Sequence, residues 1–487
     1  MPKSRNWLAG VALLAVSTAV AATDSPKGDG TADEWYKAGA DAIAERAAAP
    51  INKGRAKNVI LFVGDGMGIS TITAGRILEG QMRGDPGEEN KLSFEKFPYT
   101  ALVKTYNVDA QVPDSAGTAS ALNTGIKTRI GAINTLPGQE IGVCKGSLEG
   151  APKTLAMYAE EAGLSTGIVT TTRLSHATPA AVYAHAAERD WEADANLPDE
   201  AKANGCPDIA VQMVGSLGGN GLEVALGGGR RNYVPEAKGG RRLDGRDLTE
   251  EWVKDRADAR FVTSLEELKS VDPAKTKHLL GFFNDSDMNF EADRTTEPSL
   301  ADMTEAAIRQ LSTNKKGYYL MVEGARIDHA HHGGNAYRAL HDVVALSAAV
   351  KRASELVDLK DTLILVTADH SHVFTIAGYP SRGNPIFGLS EFHGEPDLDE
   401  EGRPYTTLGY YTGPGAVQGD RPTLTPEEVL NPNFRQQALV HTRSETHGGE
   451  DVALFAAGPR SYLASGSLEQ NAVFHLMRYA LDLKAKR

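Results

Sequence analysis

The sequence lacks an excess of positive charge. Its 51 lysine and arginine residues stand against 64 aspartate and glutamate residues, which gives the 487-residue chain a formal net charge of −13. An acidic surface repels nucleic acid and other long polyanions, so we do not expect such a partner. Net charge does not fix the sign of a single pocket, however, and a small anionic substrate remains compatible with this composition.

Long apolar runs are also lacking beyond the N-terminus. The mostly apolar run from Trp7 to Val20 is shorter than the ~20 residues that a membrane-spanning helix needs. Because the run follows Lys3 and Arg5 and ends in small residues, we predict a signal peptide over residues 1–21. The protein is then expected to be exported, and to be periplasmic or secreted. A membrane anchor is the alternative for this segment, and no later segment predicts a transmembrane helix.

Cysteine is scarce, since the chain contains only Cys144 and Cys206. Neither has the close cysteine or histidine neighbours of a zinc-thiolate site, so that kind of site is disfavoured. In an oxidising compartment the simplest expectation is one disulfide, which would add roughly 4 kcal/mol of stability by closing the long loop between the two residues. Two buried thiols are the alternative.

A repeated β-α-β pattern predicts the fold class. With 41% hydrophobic and 24% charged residues, the composition is that of a globular protein. Four short runs rich in β-branched and apolar residues suit the buried strands of a parallel sheet, and helical patterns over residues 299–312 and 335–359 precede the last two. The runs cover residues 58–63, 166–172, 317–322 and 361–367. We therefore predict an α/β fold with an open, mostly parallel central sheet flanked by helices on both faces.

Two segments lie outside this pattern. Residues 33–49 are predicted to form a short amphipathic helix that ends before Pro50. Residues 375–443 are rich in proline and glycine and show no sustained periodicity, which predicts a loop-rich insertion. A length of 487 residues is compatible with about three domains, or with one large sheet that carries insertions.

Carboxylate and imidazole side chains follow the predicted strands, at the sheet edge where ligands bind in open α/β folds. Asp65 follows the first run, and Asp369 and His370 follow the fourth. After the third run, Asp328 and His332 are four residues apart, so one helical turn would place both on the same face. Carboxylate with imidazole suits zinc, whereas oxygen ligands alone suit magnesium. The alternative is that these residues cap helices and form surface ion pairs.

Ser115 precedes a run of small residues that predicts the start of a tightly packed helix. A serine hydroxyl is a poor nucleophile until its proton is removed. The amides of a helix N-terminus and a divalent cation would both stabilise the alkoxide and a phosphate attached to it. The alternative is that Ser115 only caps the helix, and the segment lacks the G-x-S-x-G turn of other hydrolases.

Seven ordered segments resemble the alkaline phosphatases over about residues 58–459. The segments are FVGDGMG (62–68), PDSAGTASA (113–121), SHATPAAVYAH (175–185), ERDW (188–191), MVEGARIDHAHHGG (321–334), TADHSHVF (367–374) and ETHGGED (445–451). The resemblance implies a single alkaline phosphatase catalytic domain over residues 22–487. It also implies hydrolysis of a broad range of phosphate monoesters through a phosphoserine intermediate.

The resemblance further implies roles for individual residues. Ser115 matches the nucleophile, and Arg189 matches the arginine that clamps two phosphate oxygens as a planar fork. Two zinc ions and one magnesium ion are implied for each subunit, with Asp65 shared between the second zinc and the magnesium. The implied ligands are Asp328, His332 and His447 for the first zinc, Asp65, Asp369 and His370 for the second, and Asp65, Thr178 and Glu323 for magnesium.

Further positions resemble the animal-type and marine bacterial members of the family. His176, His329 and His372 match that group, and with Asp114 they are implied to lie beside the substrate or around the metal ligands. An imidazole near the third metal predicts weaker retention of magnesium than a carboxylate would give. Cys144 and Cys206 match the positions of a family disulfide.

A calcium site and a dimer are also features of the animal-type enzymes. Partial counterparts of the calcium ligands are Glu236, Trp252, Phe283 and Glu297. Asn284 stands where a carboxylate ligand is expected, which puts calcium binding in doubt. The insertion over residues 375–443 corresponds to the crown region and the helix over residues 33–49 to the N-terminal arm, so the resemblance implies a homodimer.

The sequence disfavours three other functions. A sulfatase is disfavoured because the Ser115 segment lacks a C-x-P-x-R pattern. Arg189 together with Glu323 and Thr178 favours monoesters over the substrates of a related phosphodiesterase. A non-catalytic phosphate or metal scavenging protein is disfavoured by the presence of Ser115.

Three divalent ions would make the pocket positive within an acidic protein, so the pocket would attract small phosphate esters.

Overall fold

The structure is a computed structural model that describes residues 30–49 and 51–484, and seventeen strands lie in those residues. In chain order they are β1 (Asn58–Gly64), β2 (Tyr99–Lys104), β3 (Ser165–Arg173), β4 (Val224–Gly228), β5 (Ala259–Val262), β6 (His278–Phe282), β7 (Tyr318–Gly324), β8 (Thr362–Ala368), β9 (Ser371–His372), β10 (Phe374–Ile376), β11 (Glu391–Phe392), β12 (Glu395–Pro396), β13 (Leu408–Gly413), β14 (Ala438–His441), β15 (His447–Gly448), β16 (Val452–Ala457) and β17 (Gly466–Glu469).

Fourteen α-helices lie in the same described ranges. In chain order they are α1 (Ala32–Ala48), α2 (Ile69–Gln81), α3 (Ser115–Thr124), α4 (Leu155–Ala162), α5 (Ala177–Ala180), α6 (Asp199–Ala203), α7 (Ile209–Met213), α8 (Leu248–Lys254), α9 (Leu265–Lys269), α10 (Leu300–Leu311), α11 (Arg326–His332), α12 (Ala336–Leu356), α13 (Pro426–Val429) and α14 (Asn471–Ala480).

Ten of the described strands form one open sheet. Their order across the sheet is β17-β2-β16-β8-β1-β7-β3-β4-β6-β5. Strand β16 pairs antiparallel with both of its neighbours, whereas the other neighbouring pairs are parallel. The predicted mostly parallel α/β sheet is therefore confirmed.

The four predicted strands correspond to β1, β3, β7 and β8, which are consecutive in the sheet in the order β8-β1-β7-β3. Strands β1, β7 and β8 have seven residues each, and all of these residues are buried. Burial on both faces explains why these strands are almost continuously apolar. The helical patterns before β7 and β8 correspond to α10 and α12. Helix α10 begins at a capping box in which Ser299 and Asp302 satisfy each other's backbone amide, and α12 begins after the side-chain cap of Asn335.

The insertion over residues 375–443 contains more regular structure than the sequence predicts. Strands β10, β13 and β14 form a small sheet, and β11 pairs with β12. Leu408 and Tyr410 of this region, and Phe374 immediately before it, pack in one buried apolar cluster with residues of α2 and α12. These strands are two to six residues long, too short to produce a periodic pattern that sequence reading detects.

The chain divides into two compact units, residues 1–50 and residues 51–487. In the first unit, helix α1 confirms the predicted helix over residues 33–49, and it begins at a capping box formed by Thr31 and Glu34. The predicted signal peptide over residues 1–21 lies outside the described residues. Within the described ranges, no helix combines the length and the apolar character that crossing a membrane would require.

Candidate active site

Polar side chains from four consecutive strands meet at one edge of the central sheet. Asp65 directly follows β1, Glu323 is the sixth residue of β7, and Asp369 directly follows β8. His176 follows β3 by three residues. Because parallel strands end at the same edge, residues more than 300 positions apart in the chain become neighbours there.

Four residues form the first group, which we call the Asp328 cluster: Asp328, His332, His372 and His447. Nε2 of His332 lies 3.3 Å from Oδ1 of Asp328, and Nε2 of His447 lies 3.4 Å from the same oxygen. The two Nε2 atoms are 3.1 Å apart. The sequence-predicted ligands of the first metal, Asp328, His332 and His447, are thus brought together.

The other ring nitrogens of this cluster fix the imidazole tautomers. Nδ1 of His332 lies 2.7 Å from the carbonyl oxygen of Glu445, and Nδ1 of His447 lies 2.8 Å from that of Pro113. A carbonyl oxygen can only accept, so each Nδ1 must carry the proton. Each Nε2 is then left with a lone pair that points into the cluster, which is the arrangement that a metal-binding histidine requires.

Asp65, Asp369 and His370 form the second group, the Asp369 cluster. Nε2 of His370 lies 3.4 Å from Oδ1 of Asp65 and 3.3 Å from Oδ2 of Asp369. The hydroxyl oxygen of Ser115 lies 3.1 Å from the same nitrogen. The predicted nucleophile therefore lies against the predicted ligands of the second metal.

Ser115 is the first residue of helix α3, and the helix cap is its neighbour Asp114. Oδ1 of Asp114 accepts a hydrogen bond of 3.1 Å from the amide of Gly117. The alternative that Ser115 only caps the helix is therefore wrong, because Asp114 already performs that function. The Ser115 hydroxyl is free to face the Asp369 cluster from the N-terminal end of the helix, where the helix dipole favours negative charge.

The third group, the Glu323 cluster, contains Asp65, His176 and Glu323. The hydroxyl of Thr178 donates to Oδ2 of Asp65 over 3.4 Å, so all three predicted magnesium ligands lie close together. Oδ1 of Asp65 and Oε1 of Glu323 are buried and have no hydrogen-bond partner. Buried carboxylate oxygens without partners are costly unless a cation binds them, so these residues fit a metal ion.

The ionisation of these clusters also favours bound cations. Burial raises the pKa of Asp65 well above its ordinary value, and the charges of Asp369 and Asp328 raise it further. Burial raises the pKa of Glu323 to about 8 and lowers the pKa of His370 well below its ordinary value. A divalent cation would favour both the ionised carboxylate and the neutral imidazole, and would therefore relieve these costs.

Arg189 lies beside the nucleophile segment. One guanidinium nitrogen donates to Oδ2 of Asp114 over 2.9 Å, and another lies 3.1 Å from Nε2 of His176. His329 packs edge-to-face on His176, with ring centroids 5.6 Å apart, and accepts a hydrogen bond from Arg326. Arg189 is thus held by two partners, and its planar fork is oriented before any substrate binds.

The four residues with partial resemblance to calcium ligands differ in exposure. Glu236 is exposed, whereas Trp252, Phe283 and Glu297 are buried. The side-chain amide of Asn284 donates to Oε1 of Glu297 over 2.7 Å, and its own oxygen accepts from the amide of Ser286 over 3.0 Å. These two bonds fix the amide orientation, so an N–H group faces Glu297 where a calcium ion would need an oxygen ligand.

Cys144 and Cys206 are disulfide-bonded, which confirms the predicted pairing.

Two buried residues that hydrogen-bond to the metal-ligand clusters are not predicted from the sequence. Thr170 donates to Oε2 of Glu323 over 2.5 Å, and the carboxylate of Glu445 contacts His372. Glu445 lies two residues before His447, within the segment that carries the resemblance, so its position was the available signal.

Comparison with known proteins agrees with this geometry. Residues 56–483 match the family model described as alkaline phosphatase. The tissue-nonspecific isozyme of alkaline phosphatase from Felis catus is 45% identical over 453 residues, which cover 89% of this chain and 85% of that protein. The solved alkaline phosphatase of Thermus thermophilus has a TM-score of 0.64 and 25% identity, with 89% of this chain and 93% of that chain covered.

A second similar structure is a variant of the alkaline phosphatase TAB5, in which a histidine is replaced by aspartate. Its TM-score is 0.60 at 22% identity, with 89% of this chain and all of that chain covered. That variant has magnesium bound in its M3 site. At this identity the likeness supports the fold alone.

Proposed function

The chain belongs to the alkaline phosphatase family of phosphoric monoester hydrolases, and we propose that it hydrolyses a broad range of small phosphate monoesters through Ser115. The observation that carries this proposal is the position of the Ser115 hydroxyl, 3.1 Å from Nε2 of His370 at the edge of the Asp369 cluster. A serine in this position can form a phosphoserine intermediate.

Two displacements at phosphorus make up the reaction. Ser115 Oγ loses its proton to solvent and forms a bond to phosphorus, while the bond from phosphorus to the ester oxygen breaks and the leaving oxygen takes a proton from solvent to depart as the alcohol. Water then forms a new bond to phosphorus, and the bond to Ser115 Oγ breaks, which releases inorganic phosphate and regenerates the hydroxyl. The N-terminal position of Ser115 on α3 favours the anionic states of both steps.

Arg189 is proposed to bind and orient the phosphoryl group. Its fork of N–H donors suits two phosphate oxygens at once, and the contact with Asp114 restricts the guanidinium to one orientation. Charge in a phosphoryl-transfer transition state is spread over the non-bridging oxygens, so a preoriented cation stabilises it.

Zinc is proposed for the Asp328 and Asp369 clusters because each combines carboxylate with imidazole. The ligands would be Asp328, His332 and His447 in one case, and Asp65, Asp369 and His370 in the other. When bound, the metal ions would lower the pKa of the serine hydroxyl and of the attacking water, and would offset charge on the leaving oxygen. One zinc ion at each cluster gives two per subunit.

Magnesium is proposed for the Glu323 cluster, with Asp65, Thr178 and Glu323 as ligands. Oxygen ligands suit this hard cation, whereas the imidazole of His176 suits it less well. We therefore propose that magnesium is retained weakly and is lost on dialysis. For calcium the proposed ligands would be Glu236, Trp252, Phe283 and Glu297, and the N–H group of Asn284 that faces Glu297 disfavours that ion.

We further propose one catalytic domain over residues 22–487, with an arm helix over residues 33–49 and a crown over residues 375–443. Several exposed apolar side chains of the crown region support assembly into a homodimer, among them Tyr379, Tyr411 and Leu439. Sedimentation of the purified protein tests this directly, since a monomer at micromolar concentration would contradict it.

Export is proposed from the N-terminal sequence. The charge and apolar pattern over residues 1–21 is typical of a signal peptide, and the disulfide between Cys144 and Cys206 is compatible with an oxidising compartment. N-terminal sequencing of protein recovered from the cell exterior or periplasm would identify the cleavage site. Recovery of the uncleaved chain in the membrane fraction would instead support the anchor.

One assay tests the proposed reaction. The purified protein is offered an aryl phosphate monoester and an aryl phosphate diester, with and without a chelator, beside Ser115→Ala. Ser120→Ala is a matched control, since Ser120 is also buried on α3 but bonds to the carbonyl of Ala116 over 2.7 Å. We expect monoester hydrolysis that is lost with Ser115 or with metal and retained in the control. Monoester activity that survives chelation or Ser115→Ala would contradict the mechanism.

A further inference from the structure

Glu445 is a buried carboxylate that contacts the Asp328 cluster without belonging to it. Its side chain is fully shielded from solvent. Oε1 accepts a hydrogen bond of 2.9 Å from the amide of Val373, and Oε2 bonds to Nδ1 of His372. Nε2 of His372 in turn lies 2.7 Å from Oδ1 of Asp328. A continuous line of hydrogen bonds therefore runs from Glu445 through His372 to Asp328.

The backbone of Glu445 holds a second member of the same cluster. Its carbonyl oxygen accepts from Nδ1 of His332 over 2.7 Å, and its amide donates to the carbonyl oxygen of His332 over 3.0 Å. His372 also pairs with His447 where the short strands β9 and β15 meet. Glu445 thus restrains two members of the cluster. Its side chain acts on Asp328 through His372, and its backbone bonds directly to His332.

These contacts separate the role of His372 from that of its neighbours. Both ring nitrogens of His372 are engaged, one by Glu445 and the other by Asp328. Nε2 of His372 bonds to Oδ1 of Asp328, the same oxygen that His332 and His447 approach, so we assign His372 the role of orienting Asp328. The ring can perform that function only while Glu445 restrains its rotation.

We propose that Glu445 is a positioning residue that sets the metal affinity of the Asp328 cluster by orienting Asp328 through His372. This proposal rests on the proposed function, because it takes the cluster to be a zinc site. A carboxylate suits the position because two N–H groups point at it, and a side chain with two acceptor oxygens satisfies both. Outer partners of this kind are known to change metal affinity by about 10–100-fold when removed.

Glu445→Ala and Glu445→Gln test the proposal, with Glu450→Gln as the control. Glu450 lies five residues further along the chain, is exposed, and accepts from the hydroxyl of Ser371 over 2.6 Å, so it controls for the loss of a carboxylate next to the neighbour of His372. Zinc affinity is measured on the metal-free protein by competition with a chelating dye. The visible spectrum of the cobalt-substituted protein reports the coordination geometry independently of activity.

We expect Glu445→Ala to weaken zinc binding at one site by about 10–100-fold and to change the cobalt spectrum. Glu445→Gln should have a smaller effect, because its amide oxygen can still accept from one of the two N–H groups. Glu450→Gln should bind zinc like the parent. The activity of Glu445→Gln should fall well below that of the parent at limiting zinc, and its kcat should approach that of the parent at saturating zinc.

Parental zinc affinity in Glu445→Ala, or equal weakening in Glu450→Gln, would overturn the proposal. If Glu445→Ala does not fold, Glu445→Gln tests the proposal instead. A zinc affinity and a cobalt spectrum equal to those of the parent would then contradict the proposal. The thermal stability of the metal-free variants identifies a purely structural role, which would lower stability without changing zinc affinity. A parent that binds zinc but does not hydrolyse monoesters would instead contradict the proposed function alone.

Discussion

The hydroxyl oxygen of Ser115 lies 3.1 Å from Nε2 of His370, although 255 positions separate the two residues in the chain. The same nitrogen lies 3.4 Å from Oδ1 of Asp65 and 3.3 Å from Oδ2 of Asp369. The hydroxyl is therefore next to the atoms that would hold a cation. Its reactivity as a nucleophile should depend on that cation rather than on a neighbouring general base.

Arg189→Lys should lower kcat/KM for an aryl phosphate by about 10²-fold. Lysine keeps the charge but loses the planar fork, so it cannot contact Asp114 and two phosphate oxygens in the present arrangement. Inhibition by inorganic phosphate should weaken in parallel, because phosphate uses the same donors. Steady-state kinetics with phosphate as inhibitor measures both, and an unchanged inhibition constant would show that Arg189 does not bind the phosphoryl group.

His176→Asp should increase the retention of magnesium at the Glu323 cluster. A carboxylate offers the hard oxygen that magnesium prefers, next to the unpartnered oxygens of Asp65 and Glu323. The measurement is metal content after dialysis, together with the activation that added magnesium produces. The parent should lose magnesium and regain activity on its addition, whereas the variant should respond less. Equal losses from both proteins would refute the explanation.

Asn284→Asp should make the stability of the protein depend on calcium. The change replaces the N–H group that now faces Glu297 with an oxygen, so two carboxylates oppose each other, while Asn289 still donates to Glu297. We expect a loss of about 1–3 kcal/mol in chelator, with recovery when calcium is added. Thermal unfolding with and without calcium tests this. The parent should show no response at this position, and a response equal to that of the variant would be evidence for a native calcium site.

Glu160→Gln should remove a pH dependence of folding. Burial, together with the negative charge of Glu223, raises the pKa of Glu160 to about 7. A carboxyl with a raised pKa stabilises the fold fully below its unfolded pKa, and this contribution is lost as pH rises from about 4.5 to about 7. At about 1.36 kcal/mol for each pKa unit, the variant should gain about 2–3 kcal/mol over the parent between pH 5 and pH 8.

Urea unfolding of the metal-free proteins at both pH values measures this difference. Metal-free protein is required because the loss of bound metal at low pH would otherwise add to the result. Glu161→Gln provides the control, since Glu161 is the exposed neighbour of Glu160 and should show no such gain. A difference between parent and Glu160→Gln that stays constant with pH would contradict the prediction.

Replacing both Cys144 and Cys206 with serine should lower the free energy of unfolding. The bond joins residues 62 positions apart, and in the chain-entropy model a loop of that length is worth about 4 kcal/mol. Urea unfolding of the double variant beside the oxidised parent measures the change. Because the hydrogen bonds of the two cysteines go to Ser147, Ala201, Glu200 and each other rather than to a residue of the metal clusters, kcat at saturating substrate should stay within about twofold. An equal stability of the two proteins would show that the loop is already restrained without the bond.

The strands that carry the site could be predicted because their sequence is local and unambiguous. β1, β7 and β8 are covered on both faces, so nearly every residue must be apolar, and the polar residues that follow each strand are conspicuous. The candidate ligands Asp65, Asp328 and Asp369 were identified in this way. Assignment of their roles, of Arg189 and of His447 required the family resemblance, since spacing alone left surface pairs and helix caps as alternatives.

The tertiary structure decided which of these residues meet. The sheet order β8-β1-β7-β3, with β16 antiparallel beside β8, follows from packing between distant segments and leaves no periodic signal in the sequence. The same applies to hydrogen-bond partners. Asp114 rather than Ser115 caps α3, and Asn284 pairs with Glu297. The strands and the chemistry available at their ends can be predicted from the sequence alone. The choice of partners, including Glu445 for His372, depends on contacts that only the folded chain forms.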